Sequence, residues 1–282
     1  MEISKSFGNK KIGYLQFDSS ISSPNFTLPC LKSKDCYIIL YAASGSTIRV
    51  DFKDYKTEEN TLFFFNIGQQ FQIGDRSKGK LIYFNPQFYC IAFHDKELTC
   101  DGVLFNNVFE TPYIKLTKDE NNAFNRIVDE ISQELNKEDY WTEEMTRTKL
   151  KELIITSSRA WVDRTSEQIY LGTQEGEVSR KFSQLLEANY HRFHRVGVYA
   201  ELLNISPKTL TRKIVHEKGI APNTIIKNRI MLQAKRLLAN TDLTVKEIAV
   251  QLGYDDQSYF VRFFKIQTEK SPIEFRKTQS KN

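Results

Sequence analysis

Apolar residues change their spacing along this 282-residue chain. Up to about residue 110 they come in short, dense runs: "CYIILYAAS", "STIRVDF", "NTLFFFNIGQQFQI" and "KGKLIYFNPQFYCIAF". Their β-branched and aromatic side chains suit a pleated surface. Ser44-Gly45-Ser46 and Ser77-Lys78-Gly79 separate them as turns do, and strands at this spacing predict a sandwich or barrel. The period then lengthens to that of a helix. Phe124, Ile127, Val128, Ile131 and Leu135 mark one amphipathic helix, and Met145, Leu150, Leu153, Ile154 and Trp161 a second. Their apolar stripes either pack on the β domain or form a subunit interface; the pattern leaves both open.

Residues 163–177, "DRTSEQIYLGTQEGE", are polar with two glycines and read as a linker. Everything after them is helical: "SRKFSQLLEANYHRF", "VGVYAELL", "KTLTRKIVHEK", "NTIIKNRIMLQAKRLLAN", "TVKEIAVQL", "QSYFVRFFKIQ" and "PIEFRK". Ser206-Pro207 supplies an N-cap and a first-turn proline, Gly219 a left-handed C-cap, and Pro222 and Pro272 stop what precedes them. The expected organisation is α+β: a β domain over 1–110, a helical extension over 111–162 that is a candidate for dimerisation, the linker, and an all-α domain over 178–282.

Within the all-α domain the sequence repeats. Leu210, Arg212, Ile214, Gly219 and Pro222 recur fifty positions on as Phe260, Arg262, Phe264, Glu269 and Pro272, while Ala200 and Leu203 recur forty-nine on as Ala249 and Leu252. The one-residue difference falls in the turn between helices, where insertions are tolerated. Each copy reads helix, short turn, helix, the helix-turn-helix arrangement whose second helix enters the major groove. Ala200 and Leu203 face inward in the first copy, with Leu210 and Ile214. In the second copy, Phe260, Phe263 and Phe264 bury together. Asn204 and Gly253 occupy the turns, where left-handed backbone angles cost them least. The helix between the copies, about Pro222 to Asn240, is on the order of 28 Å long. It therefore spaces the two reading helices for successive major grooves, about 34 Å apart, on an asymmetric site.

Charge sharpens this picture. From Val178 to Asn282 there are 19 Lys and Arg against 9 Asp and Glu, a net +10, while the rest of the chain carries −5. The basic part suits a polyanion. Asp255 and Asp256 sit beside the second reading helix as caps that favour its N-terminus. No apolar run reaches the roughly 20 residues of a membrane span, and the first residues lack the apolar block of a signal peptide, which predicts a cytoplasmic protein with no membrane partner. Cys30, Cys36, Cys90 and Cys100 have neither zinc-site spacing nor disulfide-scaffold density and read as buried thiols, with a thiol redox switch as the alternative.

The segment "VYAELLNISPKTLTRKIVHEKGIAPNTIIKNRIMLQAKRLLANTDLT" with "VKEIAVQLGYDDQSYFVRFFKIQTEKSPIEFRK" resembles the paired helix-turn-helix domain of the AraC/XylS family of bacterial transcription regulators over about residues 178–278. The resemblance implies that Lys208, Thr211 and Arg212 in the first copy and Gln257, Ser258 and Arg262 in the second face DNA. Arg can bond bidentately to guanine, Gln to adenine, and Lys, Ser or Thr to bases or phosphates. Glu269 departs from the family, which usually has Gly there, and puts the local turn geometry in question.

More loosely, residues 1–110 resemble the cupin-like β-barrel or jelly roll that members of this family carry as a regulatory domain. Phe71 stands where the second barrel motif often ends in His, and His94 is the only histidine before residue 178, so no metal centre or other cofactor is expected. An apolar, aromatic effector pocket has Tyr37, Tyr41, Phe64 and Tyr83 as candidate walls. The implied protein is a transcription regulator, not an enzyme. Its implied partners are double-stranded promoter DNA, a small effector, a second copy of the chain and RNA polymerase. A metal-dependent cupin enzyme and a sequence-blind nucleic-acid binder are the competing readings.

Overall fold

Three apolar runs, "YIILYA", "TLFFF" and "LIYF", show no alternation with polar residues because the sheet they form is covered on both faces. The computed structural model describes residues 2–18, 36–67, 69–89, 104–105, 111–164 and 174–279. The chain divides into two units, Met1–Ile169 and Tyr170–Asn282.

Nine strands are described in the first unit: β1 (Glu2–Phe7), β2 (Lys10–Phe17), β3 (Tyr37–Ala42), β4 (Thr47–Val50), β5 (Lys53–Lys56), β6 (Thr61–Phe65), β7 (Phe71–Ile73), β8 (Gly79–Phe84) and β9 (Tyr113–Lys115). They form an antiparallel six-stranded sheet in the order β1-β2-β8-β3-β6-β9 and a three-stranded sheet in the order β5-β4-β7. Ile38, Leu40, Phe63, Phe65, Leu81 and Tyr83 of the large sheet pack with Ile48, Val50 and Phe71 of the small one. Tyr83 lies across its cross-strand partner Gly13, where a Cβ would sit 2.2 Å from the ring.

The large sheet's other face is roofed by two helices, α1 (Lys118–Leu135) and α2 (Thr142–Arg164). Thr117 and Glu120 form a capping box that starts α1. Phe124, Ile127, Val128 and Ile131 of α1, with Leu150, Leu153 and Ile154 of α2, pack on Ile39, Tyr41, Leu62, Phe64, Ile82 and Phe84. The apolar stripes pack on the β domain except at Met145, which is exposed. The helical extension expected from 111 begins at Lys118, because the sheet continues to β9: Tyr113, Ile114 and Lys115 pair with Phe63, Leu62 and Thr61.

Seven helices follow in the second unit: α3 (Gln174–Asn189), α4 (Val196–Leu202), α5 (Pro207–Lys218), α6 (Pro222–Asn240), α7 (Val245–Gln251), α8 (Gln257–Thr268) and α9 (Pro272–Gln279). Of the linker expected over 163–177, residues 163–164 belong to α2 and 174–177 to α3, and the rest lies outside the described residues. At the α3 end, Glu177 pairs with Lys181 one turn on and favours the helix. The core runs along α6, whose Ile225, Ile226, Ile230, Ala234, Leu237 and Leu238 are buried. Among the described residues no helix is long and apolar enough to cross a membrane. Cys36 is buried; Cys30, Cys90, Cys100 and His94 lie outside the described residues.

Candidate nucleic-acid interface

Two local signals set the ends of α5, the second helix of the first motif. The Ser206 side chain accepts a hydrogen bond from the Thr209 N–H and Pro207 occupies the first turn, while Gly219 closes the helix at φ 68°. Ala200, Leu210 and Ile214 are fully buried, so the helix is held by one face. Leu203, expected to point inward, is only half-buried at the end of α4. Asn204 takes the left-handed turn at φ 54°.

The opposite face of α5 carries Lys208, Thr211 and Arg212, all exposed. The three line an open groove of about 660 Å³ with Val196, Pro207, Val215 and His216. An apolar floor beside two cationic side chains matches what a base edge offers, a thymine methyl next to acceptor atoms and phosphates. Val215, exposed at the helix surface, contributes to that floor.

The second helix of the second motif, α8, is built on aromatic rather than aliphatic residues. Phe260 and Phe264 are fully buried, and the Tyr254 ring lies 5.4 Å from Phe260 and 5.7 Å from Phe263. Phe263 is half-buried, so the expected trio reduces to a buried pair with a flanking ring. Asp256 caps the helix by accepting the Ser258 N–H at 2.8 Å, which commits that carboxylate to the backbone. Gln257, Ser258 and Arg262 are exposed. Glu269 ends α8 in the left-handed conformation at φ 61°, so the turn keeps the geometry Gly219 gives the first copy.

Other cations are committed to the fold. Arg229 on α6 is buried; its Nε and one Nη donate to Glu187 of α3 at 2.7 and 3.0 Å, and its guanidinium lies 3.9 Å from the centre of the Tyr190 ring. Burial opposes its charge, and Glu187 and Tyr190 together hold its pKa above the ordinary value. Arg276 donates to the carbonyls of Leu238 and Leu243, at 3.1 and 2.5 Å, and ties α9 to the end of α6. The basic surplus is therefore part scaffold and part presented surface. Nothing in the sequence separated the two, since Glu187 lies 42 positions from Arg229.

His194 was not singled out by sequence either. Its Nε2 lies 2.8 Å from the Leu252 carbonyl, and its ring 4.7 Å from that of Tyr254. A carbonyl can only accept, so Nε2 carries the proton. Burial lowers the His194 pKa, with the Leu252 bond acting against that shift, and favours the neutral ring.

In the first unit the four candidate pocket walls divide between two cores, three in one and Tyr83 in the other. Tyr37, Tyr41 and Phe64 lie on the helix-covered side of the large sheet, where Tyr41 stacks on Phe124 at 5.4 Å and its hydroxyl donates to Asn121. Tyr83 belongs to the core between the sheets, because neighbouring positions along β8 point to opposite faces. Phe71 is a core residue stacked on Phe65 at 4.8 Å. Among the described residues no group of His, Cys, Asp and Glu could hold a metal ion.

Two helix-turn-helix motifs on one connecting helix, each with an exposed polar face on its second helix, make up the second unit. Residues 199–278 match a family model described as a helix-turn-helix domain. The chain is 22% identical over 172 residues to the HTH-type transcriptional activator RhaR of Enterobacter sp. (strain 638), covering 61% of this chain and 60% of that one. It is 35% identical over 81 residues to the arabinose operon regulatory protein of Escherichia coli (strain K12), covering 29% and 28%. Less than two thirds of either relative is spanned. Among solved structures it is similar to the C-terminal domain of AraT, a response regulator from Geobacillus stearothermophilus, with 34% identity, a TM-score of 0.35, and coverage of 36% of this chain and 84% of that one.

Proposed function

We propose that this chain is a sequence-specific, double-stranded-DNA-binding transcription regulator and not an enzyme. The second unit reads one promoter site with α5 and α8 in successive major grooves. The first unit is the regulatory part, taking a small effector or a second copy of the chain, and the assembled complex acts on RNA polymerase. The observation that carries this reading is that both repeats expose the same kind of side chain at matching positions. Arg212 and Arg262, fifty residues apart, stand on the uncovered faces of two helices that belong to one core. Lys208 and Thr211 flank the first and Gln257 and Ser258 the second, so each helix offers both a bidentate guanine reader and partners for neighbouring bases or phosphates. The net +10 of residues 178–282 supplies the attraction that brings them to a duplex.

Selection of bound sequences from random duplexes, followed by footprinting of the full chain, tests it. The expected result is one preferred site protected in two segments about 10 base pairs apart, with affinity falling steeply as salt rises. Equal affinity for unrelated duplexes would leave a sequence-blind binder instead.

A further inference from the structure

The two reading helices are joined through α6, but a second connection runs between them. The segment from His191 to Arg195 links α3 to α4. On one side the Tyr199 hydroxyl donates to the Phe193 carbonyl at 2.8 Å, fastening the segment to the first motif. On the other side His194 donates to the Leu252 carbonyl at 2.8 Å and packs on Tyr254, which together form the turn of the second motif. The contact is close. Gly253, at φ 78°, would place a Cβ 2.3 Å from the His191 carbonyl oxygen and 3.4 Å from His194 Nε2. Farther back, Arg229 and Glu187 bolt α3 to the middle of α6. A helix that carried a reading head at each end could bend. Here α3, the His191–Arg195 segment, the second motif's turn and α6 close a ring, and bending α6 would break the His194 contact.

We propose that His194 is a positioning residue that fixes the separation of the two reading helices, so that the protein rejects sites whose half-sites are moved apart by one base pair. This rests on the reading that both motifs contact one duplex. One inserted pair shifts the second half-site by about 3.4 Å and turns it by about 35°. A locked pair of heads then keeps base contacts at only one half-site, whereas a compliant pair follows the duplex. His194 touches no DNA in this scheme; it acts through Leu252 and Tyr254.

The test compares binding of the full chain to its selected site and to the same site with one base pair inserted between the half-sites. The wild type is expected to bind the inserted site roughly tenfold or more weakly. For His194→Ala the difference shrinks to about threefold or less, with affinity for unrelated duplex unchanged. His194→Gln, whose amide can donate to the same carbonyl, restores the wild-type discrimination. A wild type indifferent to the insertion, an alanine variant as strict as the wild type, or a glutamine variant as tolerant as alanine would each overturn the proposal. Should circular dichroism show His194→Ala unfolded at the assay temperature, His194→Phe, which keeps a ring against Tyr254 but lacks the donor, takes its place with the same criteria. A wild type with no preferred sequence at all is a different outcome: it removes the DNA-reading conclusion itself, and this inference with it.

Discussion

The two helix-turn-helix copies solve the same three problems with different residues. Both need a left-handed residue in the turn, and the first uses Asn204 where the second uses Gly253. Both need a capped start: Ser206 serves α5 and Asp256 serves α8. Both need a left-handed stop, supplied by Gly219 in one and Glu269 in the other. The substitutions are not equivalent. At Glu269 the side chain points into solvent and only the backbone angle opposes it, so an L-residue is tolerated at a cost of about 1 kcal/mol. At Gly253 the His191 carbonyl occupies the space a Cβ would need, so angle and room both demand glycine. A positive φ is thus a weak constraint in open solvent and a strong one where another backbone leans on it.

The largest effect expected from this contrast is at Gly253. Gly253→Ala should destabilise the second unit by roughly 2–4 kcal/mol, the left-handed penalty plus overpacking, whereas Asn204→Ala should cost about 1 kcal/mol. Native-state hydrogen exchange of the α8 amides in the full chain measures the first and of the α5 amides the second. Equal costs would mean that the His191 carbonyl moves aside freely.

Next in size is the comparison of the two presented arginines. Arg212→Ala and Arg262→Ala should each weaken binding at the preferred site by about 1–3 kcal/mol and relax discrimination at one half-site only, read by fluorescence anisotropy on base-substituted duplexes. Loss of the same size on unrelated DNA would make that arginine a phosphate anchor rather than a base reader. The smallest effect is a gain. Glu269→Gly should stabilise α8 by about 0.5–1 kcal/mol in the same exchange experiment, and Gly219→Glu should cost a similar amount at α5.

What sequence could disclose followed the range of the interactions involved. Ser206-Pro207, Gly219, Pro222, Gly253 and Pro272 act within their own turns, so the starts of α5, α6 and α9, the end of α5 and the buried pairs Leu210/Ile214 and Phe260/Phe264 were readable in advance, whereas the helix expected over 179–193 runs instead from Gln174 to Asn189. The repeat paired Arg212 with Arg262 as outward-facing positions, and both are exposed. The faces of the large sheet were not readable, because burial on both sides erases the alternation that would assign Tyr41 and Tyr83 to opposite cores; only the register of β3 with β8 does so. The boundary near residue 110 failed for a similar reason, since β9 is three residues whose partner strand lies some fifty positions earlier. His194 and Arg229 find their partners 58 and 42 residues away, beyond any local pattern.

The roof over the large sheet has a consequence for how such a chain can be cut and recombined. The β strands alone are not an exchangeable part: ended after Lys115, they would present a plate of Ile39, Leu62, Phe64, Ile82 and Phe84 to water, an area wide enough to stick to its own kind. The smallest piece that can travel between proteins as a self-sufficient block takes both roofing helices with it, and its seam lies beyond Arg164.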